Sequence, residues 1–363
     1  MRICLMGDAQ SPHIIRLSST LARMVQHVHV VSHKPARIPG VEVEVFRVPG
    51  PGLRHPCRWA RRRERYLQDF LRQYDVVNVH FLHDWGWHPA LMEEGCLVAT
   101  PWGSDIVPPP GEIRPDDSMC NRRVSLLRHS SGVQVVGPTF AGVVERFASL
   151  DCGMVDVVPW GINLRMFDRS RFPAYSGPPK IGFFKGFRAV YGADVLVHAM
   201  PEIVRRHPDI MFDMIGDGAE LSSCESLAES LGVSKNITWW GRMAQWQLPA
   251  MMATWRVSVI PSRQEAFGMA AVESMAMTLP VVASRVGGLP DSVTHHETGL
   301  LVPPGDPQAL ATALLELIES PGFGRRLGRN GRRYVEKKHD GQLCADQQLA
   351  AYAQCLDRAC VAV

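Results

Sequence analysis

Pro261-Ser-Arg-Gln-Glu265-Ala-Phe-Gly268-Met-Ala-Ala-Val-Glu273 follows a short β-branched run, Val257–Ile260, and opens an apolar stretch with helical spacing, Met269–Met277. A strand that turns through a glycine into a helix is the repeating unit of an open parallel sheet. The first N–H groups of such a helix have no intrahelical partner, and its dipole favours negative charge at that end. Backbone N–H groups near Ala266, Phe267, Gly268 and Met269 can therefore take an anion, a diphosphate above all, and Gly268 lets it approach the main chain. Glu265 precedes the helix and Glu273 lies about two turns inside it, so at 1.5 Å per residue they stand roughly 9 to 12 Å apart. That spacing suits the two ends of a nucleotide-linked sugar, with Glu273 on the ribose hydroxyls and Glu265 on those of the sugar. The competing uses are two solvated acids at a helix start, or the carboxylate pair of a glycosidase, whose separation of roughly 5 to 9.5 Å is shorter.

Outward from this stretch the same alternation recurs. Short apolar runs at Arg2–Met6, Val28–Ser32, Val76–His80, Leu97–Thr100, Val133–Val136 and Val155–Val158 alternate with helical patterns at Ile14–Gln26, Trp59–Gln73 and Pro138–Phe147. Residues 173–179, Pro-Ala-Tyr-Ser-Gly-Pro-Pro, read as a linker. The pattern then restarts with Ile181–Phe184, Ile210–Ile215, Ile237–Trp240, Val257–Ile260 and Val281–Ala283 as strands, and becomes helix only from Pro307. The reading is α/β with two doubly wound, Rossmann-like domains: 1–172, a linker at 173–179, and 180–339. Residues 340–363 form a terminal helix that can cross back to the first domain. Ligands in such sheets bind beyond the carboxyl ends of the strands, so a cleft between the domains is the expected site.

Length and composition agree. At 363 residues, 46% hydrophobic and 21% charged, the chain has the mix of a two-domain globular protein. The first apolar run stops at Gly7-Asp8 and none reaches the roughly 18 residues of a membrane span, so a cytoplasmic protein is expected. Nine cysteines without a C-x-x-C pair point to reduced thiols and to neither a disulfide framework nor a zinc site. Residues 1–175 carry 21 Lys+Arg against 17 Asp+Glu, and seven of those arginines fall between Arg54 and Arg72. An excess so local does not describe a nucleic-acid surface. With Trp59, Tyr66, Leu67 and Phe70 interleaved, it has the composition of a helix at an anionic membrane surface, and equally of a solvated helix with one face packed on the sheet.

Further glycine turns end other strands: Ile215-Gly216-Asp217-Gly218, Trp240-Gly241-Arg242-Met243, Ser284-Arg-Val-Gly-Gly-Leu-Pro290 and Thr298-Gly-Leu-Leu-Val-Pro-Pro-Gly305. Together with Glu265, Phe267-Gly268 and Glu273, they resemble the donor domain of the retaining glycosyltransferases of the GT-B fold, family four. The first half is similar to a branch that builds exopolysaccharide, capsule and lipopolysaccharide, through Gly7-Asp-Ala-Gln-Ser-Pro-His13, Asp75–His80, Pro101-Trp-Gly-Ser-Asp105 and Pro159-Trp-Gly-Ile162. The resemblance runs from Arg2 to about Lys337. It implies sugar transfer from a UDP- or GDP-sugar to a saccharide or lipid-linked acceptor, with no cofactor and no nucleic-acid partner. Gly7, Gly216, Asp217, Gly241, Arg242 and 265–269 would line the donor, with Glu273 on the ribose.

Two features depart from the family pattern. Its usual Arg and Lys pair, five residues apart, is replaced by Phe184-Lys-Gly-Phe-Arg188, which leaves Lys185 and Arg188 to hold the diphosphate. Trp102 stands where many members have histidine, so the sugar contact falls to Asp105 or is lost. Leaving-group charge is met by cations and helix N–H groups, no protein nucleophile is required, and no D-x-D triplet implies a catalytic metal. His13, His80, His83, Asp84 and Trp102 are the acceptor candidates, and each histidine is equally a buried structural group. Trp239, Trp240, Trp246 and Trp255 read as packing residues. Rival functions are a sugar-nucleotide epimerase and an inactive nucleotide-sugar binder. An NAD enzyme is disfavoured, because no strand leads into G-x-G-x-x-G.

Overall fold

A computed structural model of the chain describes residues 1–46, 66–82, 91, 95–107, 117–151 and 153–361. The chain forms two compact units, 1–161 with 341–363, and 162–340. The division falls after Gly161, so the Pro- and Gly-rich stretch 173–179 lies inside the second unit. What holds the preceding segment there is specific. The Ile162 amide donates to the His339 carbonyl at 2.9 Å, Phe167 is fully buried, and the Phe167 carbonyl accepts from Arg332 Nη1 at 2.7 Å.

The first unit is a parallel seven-stranded sheet. Its strands are β1 (Arg2–Met6), β2 (His27–Ser32), β3 (Glu42–Val45), β4 (Val76–His80), β5 (Leu97–Thr100), β6 (Gly132–Val135) and β7 (Val155–Val157), in the order β3-β2-β1-β4-β5-β6-β7. β1, β4 and β5 are almost wholly buried because helices cover both faces of a parallel sheet. The terminal helix Gly341–Val361 belongs to this unit. Its buried Tyr352 hydroxyl accepts from Asn78 Nδ2 at 2.6 Å, and Gln348 donates to Gln134 at 2.6 Å. Arg358 pairs with Asp156 at 2.8 Å.

The second unit holds six parallel strands: β8 (Lys180–Phe184), β9 (Met211–Ile215), β10 (Ile237–Gly241), β11 (Val257–Ile260), β12 (Val281–Ser284) and β13 (Gly299–Val302), in the order β10-β9-β8-β11-β12-β13. In both sheets the strand order reverses beside the first strand, between β1 and β4 and between β8 and β11. That topological switch point opens a crevice at the carboxyl ends of the two strands. Among the described residues no helix is long and apolar enough to cross a membrane. The described cysteines, Cys4, Cys96, Cys120, Cys224, Cys344, Cys355 and Cys360, are all free thiols.

Candidate functional site

The residues that follow β8 and β11 meet at the switch point of the second sheet. Lys185 comes directly after β8 and Glu265 in the loop after β11, and their side chains form an ion pair, each mostly buried. The Lys185 ammonium also lies 4.3 Å from the centre of the Tyr191 ring, a cation–π contact that fixes its direction. Ser262 Oγ stands 3.4 Å from the same Glu265 oxygen.

Backbone geometry explains the glycines around this pair. Gly268 caps the helix Met269–Ala276 with a φ of 95°, a left-handed conformation that favours glycine. Gly287 has a φ of 50°, and a Cβ there would fall 1.9 Å from the Glu265 carbonyl oxygen. Beside it the Gly288 amide donates to that carbonyl at 3.1 Å. The loop after β12 is thus the backing on which the Glu265 loop rests. A Cβ at Gly216 would likewise strike the Lys185 carbonyl at 2.1 Å, and the Phe187 amide donates to the Asp217 carbonyl at 2.7 Å. Gly216 and Asp217 therefore shape the Lys185 loop through main chain, with the Asp217 side chain exposed.

Glu273 lies inside its helix as the spacing predicts, 7% exposed, and accepts from Gln245 Nε2 at 2.8 Å. Gln245 comes from the segment after β10 that begins with Arg242, beyond Gly241 at the end of the strand. Sequence reading passed over it, because a lone glutamine in a loop carries no motif. Arg188 and Arg242 are exposed. Ala266 and Met269 are partly buried within the turn, and Phe267 is buried with its ring 5.4 Å from that of His339.

In the first unit the corresponding switch point brings together His13, His80, Trp102 and Trp160. His13 stacks on Trp160 with ring centres 3.8 Å apart, and lies 5.6 Å from His80 and 5.4 Å from Trp102. Trp102 Nε1 donates to His80 Nδ1 at 3.4 Å, while Nε2 of both histidines is buried without a hydrogen-bond partner among the described residues. Burial lowers His13 well below the ordinary histidine value, with neighbouring His80 and Arg16 adding to the effect, and burial takes His80 down to about 3. Both are neutral at physiological pH. Gly7 belongs to this unit, closed in by Ile14 and the His80 Cβ. His83, Asp84 and the arginine-rich segment lie outside the described residues.

Asp105 requires a correction. It is fully buried, and its carboxylate accepts from the amides of Leu82 at 2.9 Å, Trp102 at 2.9 Å and Gly103 at 2.8 Å. Burial pushes this carboxyl up, against the backbone donors that pull it down. Oxygens committed in this way hold the turn after β5, so Asp105 positions Trp102 and is not a sugar ligand. The tryptophans also divide: Trp255 is buried, whereas Trp240 is 43% and Trp246 73% exposed.

The family profile Glycosyltransferase Family 4 matches residues 10–165, and Glycosyl transferases group 1 matches residues 165–334. A curated D-inositol 3-phosphate glycosyltransferase of Segniliparus rotundus is 32% identical over 227 residues, 60% of this chain and 50% of the relative. The chain spans about half the length of the curated relatives it first matches. Among solved structures, a sucrose-phosphate synthase from Thermosynechococcus elongatus superposes with a TM-score of 0.81 at 23% identity, over 98% of each chain. The Anabaena protein HepE in complex with UDP-glucose does so with a TM-score of 0.78 at 19% identity, over 97% of this chain and 99% of that one. At these identities the structural likeness speaks for the fold, which is GT-B. With its two units matched in turn by the two profiles, the chain belongs to the family four, group 1 glycosyltransferases.

Proposed function

We propose that this chain is a retaining glycosyltransferase that moves a sugar from a UDP- or GDP-sugar to a saccharide or lipid-linked acceptor. The setting is the assembly of a cell-surface polysaccharide or glycolipid, on the cytoplasmic side and at the membrane periphery. The observation that carries the reading is the Lys185–Glu265 pair at the switch point of the second sheet, beside the Gly268 helix start and the buried Glu273. Support for the donor class comes from HepE, crystallised with UDP-glucose, and for the reaction class from relatives named as glycosyl- and mannosyltransferases.

In this reading Glu273, steadied by Gln245, holds the ribose, and the N–H groups at the Gly268 turn hold the diphosphate. Glu265 accepts from hydroxyls of the sugar. As the bond from the anomeric carbon to the phosphate oxygen breaks, negative charge grows on the leaving group, where Lys185 and Arg188 stabilise it. The acceptor oxygen forms its bond on the same face, and its proton passes to the departing phosphate. The donor side of this scheme uses only side chains and main chain of the second unit and routes no step through a metal. His13 and Trp102 are assigned to the acceptor side.

Thermal denaturation of the purified protein with UDP, GDP and ADP, followed by turnover with the matching sugar nucleotides, tests the reading. Stabilisation by one nucleoside diphosphate and acceptor-dependent release of it are expected. Stabilisation by none defeats the proposal. Conversion of the donor to an isomer without acceptor identifies an epimerase.

A further inference from the structure

We propose that His27, His29 and Glu42 form a binding site for zinc on the outer strands of the first sheet, separate from the transfer chemistry of the second unit. β3 is the outermost strand of that sheet among the described residues, paired in parallel with β2. His27 and His29 are two residues apart on β2 and so share a face, and the register sets Glu42 opposite His29. The result is a cluster of two imidazoles and one carboxylate, a donor set suited to zinc and poorly suited to magnesium or calcium.

The distances are those of groups spaced around something. Glu42 Oε2 lies 3.6 Å from His29 Nδ1 and 3.8 Å from His27 Nε2, and one donor atom from each residue falls within 4.8 Å of the others. Hydrogen bonds from a ring nitrogen to a carboxylate close to about 2.7–3.2 Å, so neither contact is one. Bonds of about 2.0–2.1 Å at tetrahedral angles hold neighbouring donors about 3.3 Å apart. A few tenths of an ångström at Oε2, with a somewhat larger movement of the His27 ring, would close the cluster on an ion. Both side chains have that freedom, Glu42 being 70% and His27 30% exposed.

The surroundings fix one ligand and leave a coordination position open. Phe70 meets the His29 ring edge-on with centres 4.9 Å apart, holding it in place. The Tyr74 hydroxyl sits 2.8 Å from His29 Nδ1. An ion on the Nδ1 lone pair takes the place of the hydroxyl, so Tyr74 competes with the ion for Nδ1, swings aside when it binds and is not a ligand. His27 and Glu42 also border a surface cavity of about 340 Å³ shared with Gln26, Gly40 and Val41, which gives a fourth, water ligand room. Bound there, zinc would tie β3 to β2.

Calorimetric titration of chelator-treated protein with zinc chloride, and of a parallel sample with magnesium chloride, tests the site. One zinc per chain is expected beyond whatever the double variant His27→Ala/Glu42→Gln retains, with affinity at that site falling at least about tenfold in the variant and no comparable magnesium binding. Both substitutions are at accessible positions and leave His29 in its packing. Zinc should raise the melting temperature of the wild type and not of the variant. Cobalt(II) should give the intense visible bands of a tetrahedral site only in the wild type. Tyr74→Phe should keep the zinc. Equal stoichiometry and affinity in wild type and double variant, or loss of the ion in Tyr74→Phe, overturns the assignment.

Discussion

The Lys185 ammonium, at the end of β8, is paired with the Glu265 carboxylate in the loop after β11, so the two strands flanking the switch point are joined by opposite charges. In the proposed reaction Lys185 neutralises a carboxylate that would otherwise repel the diphosphate and stabilises the charge growing on the leaving group. Lys185→Ala should therefore lower kcat by roughly 100- to 1,000-fold, the usual loss on removing one preorganised electrostatic donor, and affect donor KM far less. Glu265→Ala should depress turnover while sparing affinity for the bare nucleoside diphosphate. Steady-state kinetics with calorimetry separates the two, and loss of nucleotide affinity in Glu265→Ala would show that the roles are wrongly divided.

Glu273 and Gln245 make a second, independent claim. Neutralising a charged acceptor costs about 1 to 3 kcal/mol, so Glu273→Gln should weaken nucleoside diphosphate binding by that amount. Gln245→Ala removes the 2.8 Å bond that orients Glu273 and should cost about 1 kcal/mol in the same titration. A Gln245→Ala protein with wild-type affinity would leave the glutamine as a passive neighbour.

Gly287 and Gly305 form a matched pair of left-handed glycines, with φ of 50° and 72°. A Cβ at Gly305 meets nothing within 4 Å, so Gly305→Ala should cost only the conformational penalty of about 1 to 2 kcal/mol. At Gly287 the same methyl group collides with the Glu265 carbonyl oxygen at 1.9 Å. Gly287→Ala should cost clearly more than Gly305→Ala in urea unfolding and should also reduce turnover, because the Glu265 loop must move. Equal costs at the two sites would mean that the loop after β12 does not support Glu265.

His80 gives the chain a dependence on pH that can be signed. Its folded pKa is about 3, against an ordinary histidine value of 6.5. Below pH 6.5 the unfolded chain takes up a proton that the native state refuses. Stability should then fall by about 1.4 kcal/mol per pH unit for each such histidine, His13 included. His80→Asn removes one titrating group, so urea unfolding at pH 7 and pH 5 should show a smaller loss in the variant than in the wild type. The same loss in both would remove His80 from the acid response.

How much of this was legible from sequence varies with the residue. Glu265, Gly268 and Glu273 announced themselves because strand, glycine turn and helix are local signals, and five of the six strands of the second unit fall within a residue or so of their reading, while β13 is read only as part of the glycine-turn segment Thr298–Gly305. β3 escaped because Glu-Val-Glu-Val is short and half polar, the composition of an outer strand and of a loop alike. Asp105 was misread because a buried carboxylate at a glycine turn looks the same in sequence whether its oxygens face a ligand or three amides. Trp240 looked like a packing residue, yet it is 43% exposed while its indole donates to buried Asp213 at 3.0 Å, a pairing that depends on register between β9 and β10.

The arginine-rich stretch raises the last prediction. Arg54, Arg58, Arg61, Arg62, Arg63 and Arg65 precede a helical turn at 66–71 in which Leu67 is buried and Phe70 packs on His29. These two apolar residues are therefore used inside the unit, and among the described residues of the stretch Tyr66, 53% exposed, is the aromatic left to insert into a bilayer. Any membrane association through this stretch should then be electrostatic, worth about 1 kcal/mol per arginine near an anionic surface and screened over a Debye length of about 8 to 10 Å at moderate salt. Sedimentation with anionic vesicles should recover the protein in the pellet at low salt and release it as salt rises, and neutral vesicles should leave it in the supernatant. Arg61→Gln, Arg62→Gln and Arg63→Gln together should abolish pelleting without changing donor turnover in solution. Binding that survives high salt would require apolar insertion that Leu67 and Phe70 cannot supply, and equal recovery in the supernatant with both vesicle types would leave a soluble acceptor.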